Sequence, residues 1–188
     1  AEVLDADGNF YTENYRSAKS RIEYICRGGI QTGRAHHTFY GFRYLRVDEA
    51  PEGWQAENFT AVCVYSDLQR TGWIRTSDPL LNQLYQNIVW GEKDNLLDVP
   101  TDCPQRDERM GWTGDIAVFA PTAAFNFDMN RFLDKWLLDV QAEQLPTGGL
   151  PNTVPVQGYG FPATMPKMAV AWWGDACVLV PWAQYMAR

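Results

Sequence analysis

Hydrophobic and polar positions change their period once along this chain. Up to about Ser66 they favour alternation: Arg21-Ile-Glu-Tyr-Ile-Cys-Arg27 interleaves polar and apolar residues, Thr38 to Val47 is rich in aromatic and β-branched side chains, and Phe59 to Tyr65 is a third run of that kind. Turn signals at Asp7-Gly8, Gly28-Gly29 and Pro51-Glu52-Gly53 separate these runs, so residues 1–66 predict short antiparallel strands from the C-terminal part of a β-sandwich. Beyond Ser66 the apolar spacing becomes helical. Asp78-Pro79 places a capping side chain before a proline at the first helical position, and Leu81, Leu84, Tyr85 and Ile88 follow at the spacing of a helix over about Pro79 to Glu92. Residues 67–95 thus read as a connecting segment and a first helix.

From 96 to 188 the chain predicts three further helices. One covers about Gly114 to Phe125, the next puts Phe132, Leu133, Trp136, Leu137 and Val140 on one face, and the last starts near Asp175. Pro121 and Pro181 fall inside two of these runs and predict kinks or breaks there. Long stretches separate the helices at Asp98 to Gly111 and Leu145 to Pro166, and long ordered loops are usually functional. The chain stops in or just after the fourth helix and leaves Ala171-Trp172-Trp173 and Val178 to Val180 without expected partners, the pattern of a domain cut short.

Composition narrows the function mainly by exclusion. A formal charge of -7 and a pI near 4.8, with no basic stripe, argue against a nucleic-acid partner. The longest apolar stretches fall far short of the roughly 20 residues that span a bilayer, so no membrane partner is expected. The chain opens on Ala1 rather than Met, which is compatible with a removed leader and leaves a cytoplasmic, periplasmic or secreted location open. Cys26, Cys63, Cys103 and Cys177 form no CxxC pair and read as free thiols. Eight tryptophans are a high count; they pack cores, and they also stack on the apolar faces of sugar rings.

Several chemistries lack their residues. The two histidines, His36 and His37, are adjacent in an expected strand, where they would face opposite ways and could not share a metal. No serine follows Ser77, and GxSxG, GxGxxG and GxxxxGK[ST] are all missing, which leaves no serine-hydrolase elbow and no nucleotide or cofactor site. Carboxylates remain, concentrated in Asp98, Asp102, Asp107, Glu108 and Asp115. Glycoside hydrolysis needs such groups, one to protonate the leaving oxygen and one to activate water or attack the sugar. The plainer alternative is a surface loop in which Arg106 and Arg109 pair with acidic neighbours.

The run Asp102-Cys-Pro-Gln-Arg-Asp-Glu-Arg-Met-Gly-Trp-Thr-Gly-Asp115 closely resembles the signature of bacterial α-L-rhamnosidases, family 78 of the glycoside hydrolases. Phe39 to Tyr44, Asn82 to Trp90 and Trp173-Gly-Asp-Ala176 resemble other family stretches in the family's order. The resemblance implies an α+β chain: the antiparallel end of a β-sandwich, then the first helices of an (α/α)6 barrel. It implies inverting hydrolysis of terminal α-L-rhamnose from a glycoside or polysaccharide, without metal or cofactor. Glu108 would be the general acid. Asp102 and Asp115 would hold rhamnose hydroxyls, Trp112 and Trp173 would line the sugar pocket, and Arg106 would stand in the substrate site with them, an orienting partner like Arg109 rather than a catalyst. The base would come from a later part of the barrel, so residues 1–188 alone are expected to be inactive.

Physical chemistry by itself does not choose Glu108 over Asp107. For Trp112 and Trp173 core packing stays an alternative, and for Asp175 an N-cap does. Another (α/α)6 glycosidase, or a noncatalytic carbohydrate-binding protein that keeps the aromatic wall and lacks the acid, would share much of this pattern.

Overall fold

The computed structural model describes residues 1–157 and 170–187. They divide into two compact units. The first is Ala1–Val64 together with Pro104–Arg109, and the second is Tyr65–Cys103 together with Met110–Arg188.

The first unit opens with an antiparallel hairpin, β1 (Val3–Leu4) and β2 (Phe10–Tyr11). Its connection realises the Asp7-Gly8 signal. Gly8 adopts φ 83°, and the Asp5 carboxylate accepts from the amides of Asp7 and Asn9 and from the Asn9 side chain. A 3₁₀ turn over Glu13–Tyr15 follows, anchored by buried Tyr15, whose hydroxyl donates to the Gly41 carbonyl at 2.9 Å. The amide of Ala18 donates back to the Tyr15 carbonyl at 3.0 Å, closing a tight turn with Arg16 and Ser17 at its centre.

The three strands expected at Arg21–Arg27, Thr38–Val47 and Phe59–Tyr65 do not form. Their period-2 patterns are present, but a strand also needs a neighbour to receive its backbone hydrogen bonds, and residues 1–64 do not pair these segments with one another. Ile22, Ile25, Phe42, Leu45, Val62 and Val64 remain exposed as a result. Residues 43 and 44 are instead tied to the carbonyl of Ala1 through their amides.

The second unit is built on four helices: α1 (Pro79–Asn95), α2 (Thr113–Asn126), α3 (Asn130–Ala142) and α4 (Ala176–Met186). Between α1 and α2 lies a minimal hairpin, β3 (Leu96–Leu97) with β4 (Val99–Pro100). The start of α1 follows from its sequence: Asp78 Oδ1 accepts from the Leu80 amide at 2.8 Å, and Pro79 fills a position whose N–H would have no partner. This helix buries Tyr85, Val89 and Glu92, while Leu81, Leu84 and Ile88 stay exposed on its other flank. In α3 the expected stripe is realised, with Phe132, Leu133, Trp136 and Val140 all buried.

Helix α4 packs on α2 and α3 through Ala176, Val180 and Ala183. Pro121 and Pro181 lie inside α2 and α4, and neither helix is broken there. Each proline forfeits one backbone hydrogen bond, and the flanking buried residues, Ala117, Ala120 and Ala123 on α2 and Val180 and Ala183 on α4, hold both helices in place through packing. No helix among the described residues is long and apolar enough to cross a membrane. Of the long loop at Leu145 to Pro166, the residues from 158 onward lie outside the described ones.

Candidate active site

The acidic segment leaves the helical unit and returns to it. Asp102 pins the departure: its amide donates to the Met110 carbonyl at 3.0 Å, and its Oδ1 accepts from the Met110 amide at 2.9 Å. The six residues between Cys103 and Met110 belong to the first unit. Upstream, Asp98 turns the β3–β4 hairpin at φ 68° and faces Lys135 Nζ at 3.4 Å in a solvent-exposed ion pair.

Within the loop, Glu108 is held at one oxygen. Its Oε2 lies 2.7 Å from Arg16 Nη2 and 3.3 Å from Arg106 Nη2, while Oε1 takes no hydrogen bond among the described residues. The side chain is 17% exposed, so one oxygen is anchored while the group keeps access to a ligand. Asp107 meets the same guanidinium, with Arg16 Nε 2.9 Å from its Oδ1, and it accepts a hydrogen bond from the Ser17 hydroxyl. That hydroxyl, and then the Arg16 cation, hold the Asp107 carboxyl below the usual carboxylate range. Asp107 therefore stays an anion, which suits a positioning group better than a proton donor. Arg109 serves as a strut: its guanidinium donates to the carbonyls of Arg106 at 2.9 Å and Phe39 at 2.8 Å and lies 5.3 Å from the Phe39 ring centre.

Trp112, Asp115 and Trp173 gather at the N-terminal end of α2 in the second unit. Half-buried Trp112 is the residue before the helix and bridges to Thr153. Asp115 sits exposed in the first turn, where its charge also complements the positive end of the helix. The Trp173 indole lies against Gly114 so closely that a β-carbon there would be 3.0 Å from its Nε1. That buried Nε1 has no hydrogen-bond partner among the described residues. Asp175 does not cap α4; its carboxylate turns back to accept from the Trp172 amide at 3.2 Å, fixing the residue beside Trp173 at φ 82°.

The start of α2 is fastened by the segment around Asn152. The Asn152 carbonyl accepts from both the amide and the hydroxyl of Thr113, at 2.9 and 3.0 Å, and Val154 donates to Gly111. Trp136, fully buried, donates its indole N–H to the Val154 carbonyl at 3.2 Å. The two groups of expected site residues are thus placed separately: Asp102, Trp112, Asp115 and Trp173 in the helical unit, Arg106 and Glu108 in the other.

Three relevant groups were not foreseen from the sequence. Arg16 and Ser17 act on residues about ninety positions away, and no local pattern announces such pairing. Glu92 is the third, a buried carboxylate inside the helical unit. Its Oε2 accepts from Asn126 at 2.8 Å, Asn126 accepts from the Tyr85 hydroxyl at 2.9 Å, and Arg70 donates to that hydroxyl at 2.8 Å. Burial pushes the Glu92 carboxyl up to about 7, against the opposing pull of the Asn126 hydrogen bond and the Arg70 charge.

Residues 69–188 match the bacterial alpha-L-rhamnosidase 6 hairpin glycosidase domain, and residues 1–65 match the bacterial alpha-L-rhamnosidase concanavalin-like domain. An alpha-L-rhamnosidase of Streptomyces avermitilis is 44% identical over 188 residues, all of this chain and 18% of the relative. One from Formosa agariphila is 42% identical across 98% of the chain and 20% of its own length. Among solved structures, the Streptomyces avermitilis alpha-L-rhamnosidase complexed with L-rhamnose superposes with a TM-score of 0.90 at 44% identity, over 98% of this chain and 18% of that one. The native enzyme of Aspergillus terreus gives 0.84 at 40% identity, over 98% and 21%. The chain therefore spans about a fifth of the length of the relatives it matches. Its fold is the antiparallel part of a β-sandwich followed by the first helices of an (α/α)6 barrel.

Proposed function

The chain belongs to the bacterial α-L-rhamnosidase family, and from that premise we propose that the protein containing it hydrolyses terminal α-L-rhamnose from rhamnosides or rhamnose-bearing polysaccharides, with inversion and without a cofactor. Glu108 is the general acid. Arg16 and Arg106 hold its Oε2, and Oε1 carries the proton to the glycosidic oxygen as the bond to the anomeric carbon breaks. The base is a carboxylate outside residues 1–188, standing roughly 6.5–9.5 Å from the acid so that a water fits between it and the sugar.

In this reading Asp102 and Asp115 accept from rhamnose hydroxyls, while Trp112 and Trp173 offer aromatic faces to the ring and its methyl group. Arg106 orients the acid. The observation that carries the proposal is the family match running through Asp102–Asp115, supported by a relative whose solved structure holds L-rhamnose.

A panel of nitrophenyl glycosides on the complete protein tests the substrate. Cleavage of the α-L-rhamnoside with release of β-L-rhamnose is expected. Cleavage of glucosides in preference to rhamnosides, or rhamnose binding without turnover, overturns the reading.

A further inference from the structure

Arg16 occupies a backbone position that suits glycine. Its φ of 55° and ψ of -114° lie close to the first central residue of a type II′ turn, near +60° and about −120°, and the Ala18 amide closes that turn onto the Tyr15 carbonyl at 3.0 Å. A long β-carbon-bearing side chain is strained there, and such strain persists where the surroundings impose it. Buried Tyr15 immediately precedes the turn and fixes it through its bond to Gly41. The two central residues, Arg16 and Ser17, are the ones that touch Asp107 and Glu108.

We propose that Arg16 is a positioning residue for the reaction, holding Glu108 and Asp107 in a fixed fork so that the acid meets the glycosidic oxygen at the right place; the proposal rests on Glu108 being the acid. Arg16 Nε forms an ion pair with Asp107 Oδ1 at 2.9 Å and Nη2 donates a hydrogen bond to Glu108 Oε2 at 2.7 Å, so one planar guanidinium contacts two consecutive side chains. Such neighbours on an irregular loop have no intrinsic reason to point the same way. Clamping Asp107 orients the backbone from which Glu108 projects, and clamping Oε2 leaves Oε1 as the oxygen that delivers the proton. The turn backbone sets where the guanidinium stands, which accounts for an arginine where glycine would be easier.

The test compares wild type, Glu108→Gln, Arg16→Gly and Arg16→Lys in the complete protein, on methyl and 4-nitrophenyl α-L-rhamnoside. A misplaced acid hurts the alkyl leaving group, which needs its proton, far more than the activated one. Arg16→Gly is expected to lower kcat on the methyl rhamnoside by about 10–100-fold and on the nitrophenyl substrate by roughly a tenth of that factor. Its melting temperature should stay near or above wild type, because glycine relieves the turn, and Arg16→Lys should recover part of the loss. A purely structural role would reduce both substrates by one common factor, since the ratio between them does not depend on how much protein is folded. Equal losses, or none, overturn the proposal while a selective loss in Glu108→Gln keeps the acid assignment standing. A Glu108→Gln variant without selective loss removes the assignment and this proposal with it.

Discussion

Gly111 and Val154 meet backbone to backbone: Val154 donates its amide to the Gly111 carbonyl at 2.8 Å, and a β-carbon on Gly111 would collide with the Val154 carbonyl oxygen. That oxygen cannot retreat freely, because it also accepts the indole N–H of fully buried Trp136. Gly111→Ala is therefore expected to destabilise the protein by about 1–3 kcal/mol, despite the smaller entropy cost of alanine. Urea unfolding of the complete protein checks this; an unchanged midpoint would show that the contact yields easily.

Glu108→Gln retains the shape of the acid and removes its proton. Turnover of an alkyl or sugar rhamnoside should fall by about 10²–10⁴-fold, with a smaller loss on the nitrophenyl substrate, while rhamnose still binds. Asp107→Asn should cost less, since Asp107 is held as an anion by Ser17 and Arg16. The comparison of kcat for both variants decides between them, and a larger loss at Asp107 would reverse the assignment.

The buried Glu92 makes stability depend on pH. Below about 4.5 its carboxyl is neutral in the folded and the unfolded chain, and above about 7 it is ionised in both. Between those values the folded state binds more protons, so stability falls as pH rises through the window, by at most about 3 kcal/mol. Glu92→Gln, which keeps an acceptor for Asn126, should flatten that slope. Melting temperatures of both proteins from pH 4.5 to 7.5 supply the measurement.

Asp78→Ala removes the side chain that accepts the Leu80 amide at the start of α1 and should cost about 1 kcal/mol. Asp78→Asn should recover most of that. Thermal melts of the two variants side by side check the difference.

Helices were legible wherever periodicity and caps agreed: Asp78-Pro79 fixes the start of α1, and the Phe132–Val140 stripe fixes the buried face of α3. The alternation at Arg21–Arg27 was read as a strand, but alternation specifies only which faces a segment would bury and says nothing of whether a neighbour is at hand to pair with. A proline alone does not tell whether a helix ends, since packing of α2 on α4 supplies an energy that no local rule contains. In the candidate site, the carboxylates and Trp112 stand together in one motif, with Trp173 in a second. Their partners do not: Arg16 lies some ninety residues earlier in the chain, and Glu92 looks like any polar residue on a helix until Tyr85, Asn126 and Arg70 are seen near it.

The excursion of Pro104–Arg109 into the company of Ala1–Val64 limits how this architecture can be recombined. A barrel expressed without residues 1–64 would lack the turn that grips Asp107 and Glu108. Grafting a foreign sandwich in their place would transplant a surface without its arginine clamp. With Glu108 as the acid, a change in residues 15–18 would be felt on a loop encoded some ninety codons downstream, so the two segments would have to be exchanged together.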